Sequence, residues 1–150
     1  MLISKEIDEM ATRRNLIHAN HPTSRPLNET YQHVGITAEL LFAKRYGLEM
    51  DRSLRPSGDG GYDFICGNLK LDIKGSKVGK WLLVERGKCC PYTIYVLVHV
   101  TEIGRPGNIK GWVWGWELLE RQPRPSSFGI YNHRMRHDEL RPMDKLSILR

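Results

Sequence analysis

The 150-residue sequence lacks the features that mark membrane-spanning, secreted and disulfide-stabilised proteins. No apolar run approaches the roughly 20 residues that a membrane helix requires, and the longest, Tyr92 to Val100, has the length of a strand. The N-terminal segment carries acidic residues and no continuous apolar core, which argues against a secretory signal. These absences predict a cytoplasmic protein without a membrane partner.

Cysteine is scarce, with three residues, an odd number, and no C-x-x-C spacing. Reduced thiols are therefore the expected state, because a disulfide framework normally uses an even number of cysteines. The weaker alternative is a zinc site that combines the three thiols with a nearby histidine. The residues concerned are Cys66, Cys89, Cys90 and His99.

The charge balance is basic, with 23 lysines and arginines against 17 acidic residues, a net charge of +6 and a pI near 9.4. A basic surface favours a polyanionic partner, of which nucleic acid is the commonest, although an ordinary basic protein fits the same numbers. The length predicts one domain over residues 1–150. Residues 1–27 are predicted to form an N-terminal helix and loop, and residues 123–150 a C-terminal extension.

Hydrophobic periodicity predicts helices first and strands afterwards. The helices are expected over Ser4 to Ala19 and Glu29 to Tyr46, and a short one after Trp116. A hairpin is expected at about Tyr62 to Ser76, and strands at Tyr92 to His99 and Lys110 to Trp116. Trp81 to Glu85 is either a short strand or an irregular crossing. The order predicts an α/β fold with a mixed central sheet of four to five strands flanked by helices. The period-two residues Trp112, Trp114 and Trp116 are predicted to share one strand face. The tail after Pro123 is expected to be irregular, with a short strand or helix near its end.

The predicted hairpin, GYDFICGNLKLDIKGS, carries charges on one face. With Gly67-Asn68 as its two-residue loop, Asp63 lies opposite Asp72, and Lys74 follows on the same face. Two carboxylates directly across a ladder repel each other, so a neighbouring cation must offset them. Lys74 can supply part of that charge and a divalent metal ion the rest. An accidental cluster on a solvated face is the alternative interpretation.

A further carboxylate lies on the predicted second helix. The neighbours of Glu39 three and four residues away are mostly apolar, so this side chain lies on or beside the buried stripe. A buried glutamate is costly unless it is paired or binds a metal. Glu39 is therefore a candidate member of the same site, or a partly exposed residue at the edge of the stripe.

A helix bearing Glu39, a hairpin bearing Asp63, and Asp72-Ile73-Lys74 on its second strand resemble the PD-(D/E)xK nuclease superfamily, which has the restriction-endonuclease-like fold. The resemblance covers about Tyr31 to Leu119, although Gly61-Tyr62 stands where the family has proline. Asp59 is a rival for the position of Asp63.

The resemblance implies Mg²⁺-dependent hydrolysis of DNA phosphodiester bonds, with Mn²⁺ as a substitute metal. Asp63, Asp72, the Ile73 carbonyl and Glu39 would hold the metal, and Lys74 would position the attacking water or neutralise the phosphate. Lys77 and Lys80 follow the motif and are expected to contact DNA phosphates. Ser76 either binds a phosphate or shapes the turn.

The expected substrate is double-stranded or branched DNA, and cleavage of both strands would require a homodimer. Restriction-like, homing and junction-resolving activities all fit the sequence. The alternative is a non-catalytic nucleic-acid-binding or assembly protein that retains the nuclease fold.

Overall fold

The computed structural model describes residues 29–49, 63–101, 108–126 and 129–146. Helix α1 spans Glu29–Tyr46 and helix α2 spans Gly115–Leu119. The strands are β1 Phe64–Cys66, β2 Leu69–Ser76, β3 Trp81–Glu85, β4 Thr93–His99, β5 Asn108–Trp114, β6 Arg124–Pro125 and β7 Tyr131–Arg136. The predicted helix over Ser4 to Ala19 and the loop that contains Asp59 lie outside the described residues.

The strands of the described residues form two sheets. The main sheet has the strand order β1-β2-β4-β5, in which β2 and β4 run parallel and the other neighbours run antiparallel. The second sheet is antiparallel, with the order β3-β7-β6. The prediction of a mixed α/β architecture around a small sheet is therefore confirmed, and the second sheet is an addition that the sequence did not suggest.

The hairpin forms in the predicted register. Phe64 pairs with Leu71, Ile65 with Lys70, and Cys66 with Leu69 around the Gly67-Asn68 loop. Because side chains alternate along a strand, Phe64, Leu71 and Ile73 enter the core on one face, and Asp72 and Lys74 lie on the other.

Helix α1 packs on the apolar face of β2 at very short range. A Cβ atom added to Gly75 would lie 2.8 Å from both the Ala38 Cβ and the Val34 carbonyl oxygen. Only glycine permits this approach, because any side chain would push the helix away from the strand. Further along α1, the Phe42 ring meets the Phe64 ring of β1 at 5.7 Å between centroids.

The opposite face of the main sheet packs against the second sheet. Leu82 and Val84 of β3 and Met135 of β7 are buried against Tyr95, Leu97 and Val113. The tail after Pro123 is therefore more regular than predicted, because β6 and β7 pair with each other and β7 pairs with β3. Two short 3₁₀ turns, His137–Glu139 and Met143–Lys145, follow β7.

The prediction that three tryptophans share a strand face is wrong for Trp116. Strand β5 ends at Trp114, and Gly115 begins helix α2, so Trp116 belongs to the helix. A Cβ on Gly115 would collide with the Cys90 carbonyl oxygen, which shows how closely the turn into α2 packs. Trp112 and Trp114 do share a face, with rings edge-on at 6.3 Å. The described ranges contain no helix of the length and apolar content needed to span a bilayer.

We expect Gly75→Ala to lower the free energy of unfolding by about 1–3 kcal/mol, because the added methyl group overpacks the contact between α1 and β2. Gly35→Ala is the matched control on α1, where an added Cβ meets nothing within 4 Å and alanine raises helix propensity by up to about 1 kcal/mol. Urea denaturation measures both variants. Equal stability of the two would contradict the close packing of α1 on β2.

Candidate functional site

Strand β2 carries the candidate site on the face turned away from α1. The parallel register sets Asp72 beside Tyr95 and Lys74 beside Leu97 on β4. Strand β4 is buried along almost its whole length, so the charged residues of β2 stand next to the centre of the protein. The predicted shared face of Asp72 and Lys74 is therefore present.

Asp72 and Lys74 form an ion pair, with 3.2 Å between the Lys74 Nζ and the Asp72 Oδ1. The aspartate is the buried partner, with 8% of its surface exposed, and the lysine side chain is 36% exposed. A buried carboxylate needs such compensation because leaving water is costly for a charged group. The exposed lysine head remains able to meet an anion that approaches from solvent.

The Tyr95 side chain lies next to this ion pair, on the neighbouring strand β4. Its ring is buried, and the Lys74 Nζ lies 6.0 Å from the ring centroid, within the range of a cation–π contact. Its hydroxyl oxygen accepts a hydrogen bond of 2.9 Å from the Cys90 backbone N–H. Burial is the main reason that the pKa of Tyr95 is raised well above its usual value. The phenol therefore stays protonated and uncharged beside the ion pair.

Asp63 is hydrogen-bonded to β2 on both sides of Asp72. Its backbone N–H donates to the Leu71 carbonyl at 2.7 Å, and its Oδ2 accepts from the Ile73 N–H at 2.6 Å. The ladder of β1 ends at Phe64, one pair short of the predicted Asp63–Asp72 pair. In place of a backbone carbonyl of a longer β1, the Asp63 carboxylate accepts the hydrogen bond from the Ile73 N–H of β2.

The backbone N–H and C=O of Ile73 both point to the edge of β2 at which Asp63 lies. Since the N–H and C=O of a strand residue point to the same neighbour, the Ile73 carbonyl faces the side on which Asp63 binds. Carboxylate and carbonyl oxygens are the hard ligands that Mg²⁺ prefers. The predicted combination of Asp63 and the Ile73 carbonyl is thus compatible with the geometry of this edge.

Glu39 is buried on α1, with 8% of its surface exposed. Successive helix residues are rotated by roughly 100°, so Glu39 lies on the flank that follows Ala38 in the direction of Phe42. Phe42 contacts Phe64 at the start of β1. Helix α1 covers the face of β2 that carries Gly75, opposite to the face of Asp72 and Lys74, so Glu39 is on a different layer from that ion pair.

Among the described residues, no group of three or more His, Cys, Asp or Glu side chains is arranged to hold a metal ion. The predicted three-carboxylate arrangement that includes Glu39 therefore stays a prediction. Mg²⁺ commonly uses only one or two protein carboxylates and completes its shell with water and substrate phosphate. Asp63 accepts a hydrogen bond from the residue that follows Asp72, so these two carboxylates are the candidates for this smaller requirement.

The turn after β2 presents the two lysines that the sequence predicted to contact nucleic acid. Lys77 and Lys80 are both exposed. The Ser76 Oγ accepts a hydrogen bond of 2.9 Å from the Gly79 N–H, so this hydroxyl shapes the turn. Gly79 has φ +69°, and a Cβ there would lie 2.5 Å from the His99 ring, which explains why the turn requires glycine.

The cysteines are not grouped for zinc. Cys66 lies in the core beneath α1, whereas Cys89 packs against the core on the opposite face of the main sheet. Cys90 is exposed, and all three thiols are free. Burial raises the pKa of Cys89 to about 11 and also raises the pKa of Cys66.

Comparisons with known proteins add no assignment: the chain matches no family model, no curated protein and no solved structure. Any functional conclusion therefore depends on the residues and geometry described above. Tyr95 is the site residue that sequence reasoning missed. It lies in an apolar run typical of a core strand, and only the parallel register with β2 brings it beneath Lys74.

We expect Asp63→Ala to destabilise the protein by about 1–3 kcal/mol, because it leaves the Ile73 N–H without its acceptor at a part-buried position. Asp63→Asn keeps an oxygen acceptor and should lose clearly less. Urea unfolding of both variants measures the difference. If alanine and asparagine had the same effect, the hydrogen bond from Ile73 to Asp63 would not contribute to stability.

We expect iodoacetamide at about pH 8 to alkylate Cys90 and to spare the other two thiols while the protein is folded. With a pKa of about 11, roughly one Cys89 side chain in a thousand is the reactive thiolate at this pH. Mass spectrometry of tryptic peptides locates the adduct, and Cys90→Ser is the control that should remain unmodified. Rapid modification of Cys89 would contradict its burial beside Tyr95.

Proposed function

We propose that this chain is a metal-dependent endonuclease that hydrolyses DNA phosphodiester bonds on a restriction-endonuclease-like, PD-(D/E)xK fold. The observation that carries the proposal is the ion pair of Asp72 with Lys74 on one face of β2, with Asp63 hydrogen-bonded to the backbone on both sides of Asp72. Two carboxylates and a partly exposed amine at one strand edge suit phosphoryl chemistry more than a purely structural role.

The ligand set proposed for Mg²⁺ is Asp63, Asp72 and the Ile73 carbonyl, with Glu39 of α1 as the further carboxylate that the resemblance implies. When bound, the metal supplies a Lewis acid for the phosphoryl oxygen and lowers the pKa of a coordinated water. Mn²⁺ has similar ligand preferences and should substitute. The carboxylates of Asp63 and Asp72 would also repel the phosphate if no cation were bound, which explains why activity should depend on a metal.

Lys74 has two roles in this proposal. In the free protein, its ammonium group neutralises the buried Asp72 carboxylate. With a phosphodiester bound, the same group donates hydrogen bonds to the attacking water or to a phosphoryl oxygen, and so stabilises the negative charge that develops there. The side chain is 36% exposed, so a phosphodiester that approaches from solvent can reach the ammonium group, whose Nζ lies 6.0 Å from the Tyr95 ring centroid.

The proposed substrate is double-stranded or branched DNA. One chain carries one such site, so cutting both strands of a duplex favours a homodimer whose two-fold axis matches that of the DNA. Restriction-like, homing and junction-resolving activities are the members of this class that fit. The reducing cytoplasm is the proposed compartment, since all three thiols are free.

A non-catalytic nucleic-acid-binding protein is the second candidate. The observation in its favour is that Asp63 accepts a backbone hydrogen bond and Asp72 is paired with Lys74, so both carboxylates have partners within the chain itself. Such a protein would bind DNA with no cleavage in any metal.

The test is incubation with supercoiled plasmid in Mg²⁺ or in EDTA, followed by gel electrophoresis. We expect nicking in Mg²⁺ alone, and a loss of about a hundredfold or more in rate for Asp72→Asn and for Lys74→Ala. Lys70→Ala is the matched control, because Lys70 lies on the same strand and the same face as Lys74. This control should cleave at the wild-type rate.

Circular dichroism spectra should show that Asp72→Asn remains folded, since the substitution preserves the shape of the side chain. The nuclease proposal fails if the wild type binds plasmid, branched and single-stranded DNA but cleaves none of them in Mg²⁺ or Mn²⁺. It fails equally if Asp72→Asn cleaves at the wild-type rate.

A further inference from the structure

The second sheet carries a basic face on the side away from the main sheet. Leu82, Val84 and Met135 point into the core, so their neighbours along the strands point outward. We call the outward surface the arginine face. It consists of Trp81, Leu83 and Glu85 on β3, Arg134 and Arg136 on β7, and Arg124 on β6, while Asn132 of β7, on the same side, is buried.

The pairing register holds the arginines of this face at regular intervals. Arg136 lies opposite Trp81, Arg134 opposite Leu83, and Arg124 opposite Asn132. Residues two apart on one strand face are separated by about 7 Å, which is close to the rise of two base pairs of B-DNA at 3.4 Å each. By this measure the spacing suits every second phosphate along one strand of a duplex.

The charge of the face is positive. Its acidic residue, Glu85, forms an ion pair with Lys88 at 3.1 Å, and Arg136 forms one with Asp138 at 3.3 Å. Arg124 is exposed on β6, and Arg134 adds a second positive charge on β7. Leu83, directly across from Arg134, is 39% exposed, so this part of the face is open to solvent.

Trp81 holds the arginines in place. The Arg134 guanidinium lies 4.3 Å from the centroid of the Trp81 ring, and that of Arg136 lies 5.7 Å from it. An arginine stacked on an aromatic ring keeps its donors in a fixed plane, which suits phosphate recognition. Because Arg134 already covers the ring, Trp81 is not available to stack with a base, and a duplex backbone fits better than a single strand.

The arginine face is linked to the proposed active site along the chain. Strand β2 leads from Lys74 into the turn with the exposed Lys77 and Lys80, and β3 begins at Trp81 directly afterwards. The Lys80 carbonyl accepts a hydrogen bond of 2.9 Å from the His137 N–H, which joins this turn to the end of β7. Positive side chains thus follow one another from the site to the second sheet.

We propose that the arginine face binds the phosphate backbone of duplex DNA beyond the point of cleavage, without reading its sequence. The proposal rests on the proposed function in that it extends the binding track of the same site. Arg134 is the central contact, with Arg136 and Arg124 on either side. Contacts of this kind position the duplex and make binding salt-dependent.

The test measures binding by fluorescence anisotropy in EDTA, which separates it from cleavage. The probe is a labelled duplex of about two helical turns, titrated between about 50 and 200 mM salt. Arg134→Gln should weaken binding and reduce the slope of log K against log salt by about 1. Two duplexes of unrelated sequence should give the same reduction, because phosphate contacts carry no sequence information.

Arg45→Gln is the matched control, because Arg45 is an exposed arginine that stacks on the Tyr46 ring at 4.9 Å, on the α1 side of the main sheet. It removes the same charge and the same kind of stacking, and should leave the slope unchanged. Arg134→Lys keeps the charge and should retain the wild-type slope, which shows that a loss in Arg134→Gln comes from the missing charge.

Equal effects of Arg134→Gln and Arg45→Gln would overturn the proposal, because they would show a general response to net charge. Tighter binding of the single strand than of the duplex would overturn it as well. The result is independent of the nuclease proposal. A protein that cleaves plasmid but shows no Arg134 dependence loses only the arginine face, and one that never cleaves but shows that dependence loses only the proposed catalysis.

Discussion

The parallel pairing of β2 with β4 is the constraint on which both the fold and the candidate site depend. It sets Asp72 beside Tyr95 and Lys74 beside Leu97, and it leaves Leu71 and Ile73 to face α1. A slip of one residue would exchange the two faces and bury the charged pair beneath the helix. The cost of burying two charges in an apolar core therefore selects this register strongly.

The charges of the site are stabilised by the strand that carries them. Lys74 compensates the Asp72 carboxylate, and the Ile73 N–H compensates Asp63. Carboxylates held by strand backbone are fixed more firmly than carboxylates on loops, which is the arrangement that a binding site with defined geometry requires. The contacts that satisfy these carboxylates within the chain thus involve the same groups that the proposed chemistry uses.

The two faces of the main sheet are covered by different elements. Helix α1 covers one face so closely that Gly75 can carry no side chain. The second sheet covers part of the other face, with its centre over β4 and β5, while Asp72 and Lys74 lie on β2 beside it. Its outward surface adds arginines ordered by Trp81. One small sheet thus completes the core on its inner side and offers a cationic surface on its outer side.

Features with a local periodicity or a local turn could be predicted from the order of residues. These are helix α1, the hairpin register around Gly67-Asn68, the buried strand β4, and the shared face of Asp72 and Lys74. Short-range alternation and turn chemistry leave a direct trace in the order of residues. The end of β5 at Trp114 was missed, because the alternating tryptophans continue into α2 without a break in the pattern.

The pairing of distant strands, in contrast, depends on contacts between segments far apart in the chain. Two such contacts join segments distant in the chain: β3 pairs with β7, and Tyr95 lies beneath Lys74. A third, the hydrogen bond that holds Asp63 at the edge of β2, stands where the β1 ladder ends early. Such contacts arise from the packing of complete layers against each other. No spacing within a single segment records them, so they could not be inferred before the layers were assembled.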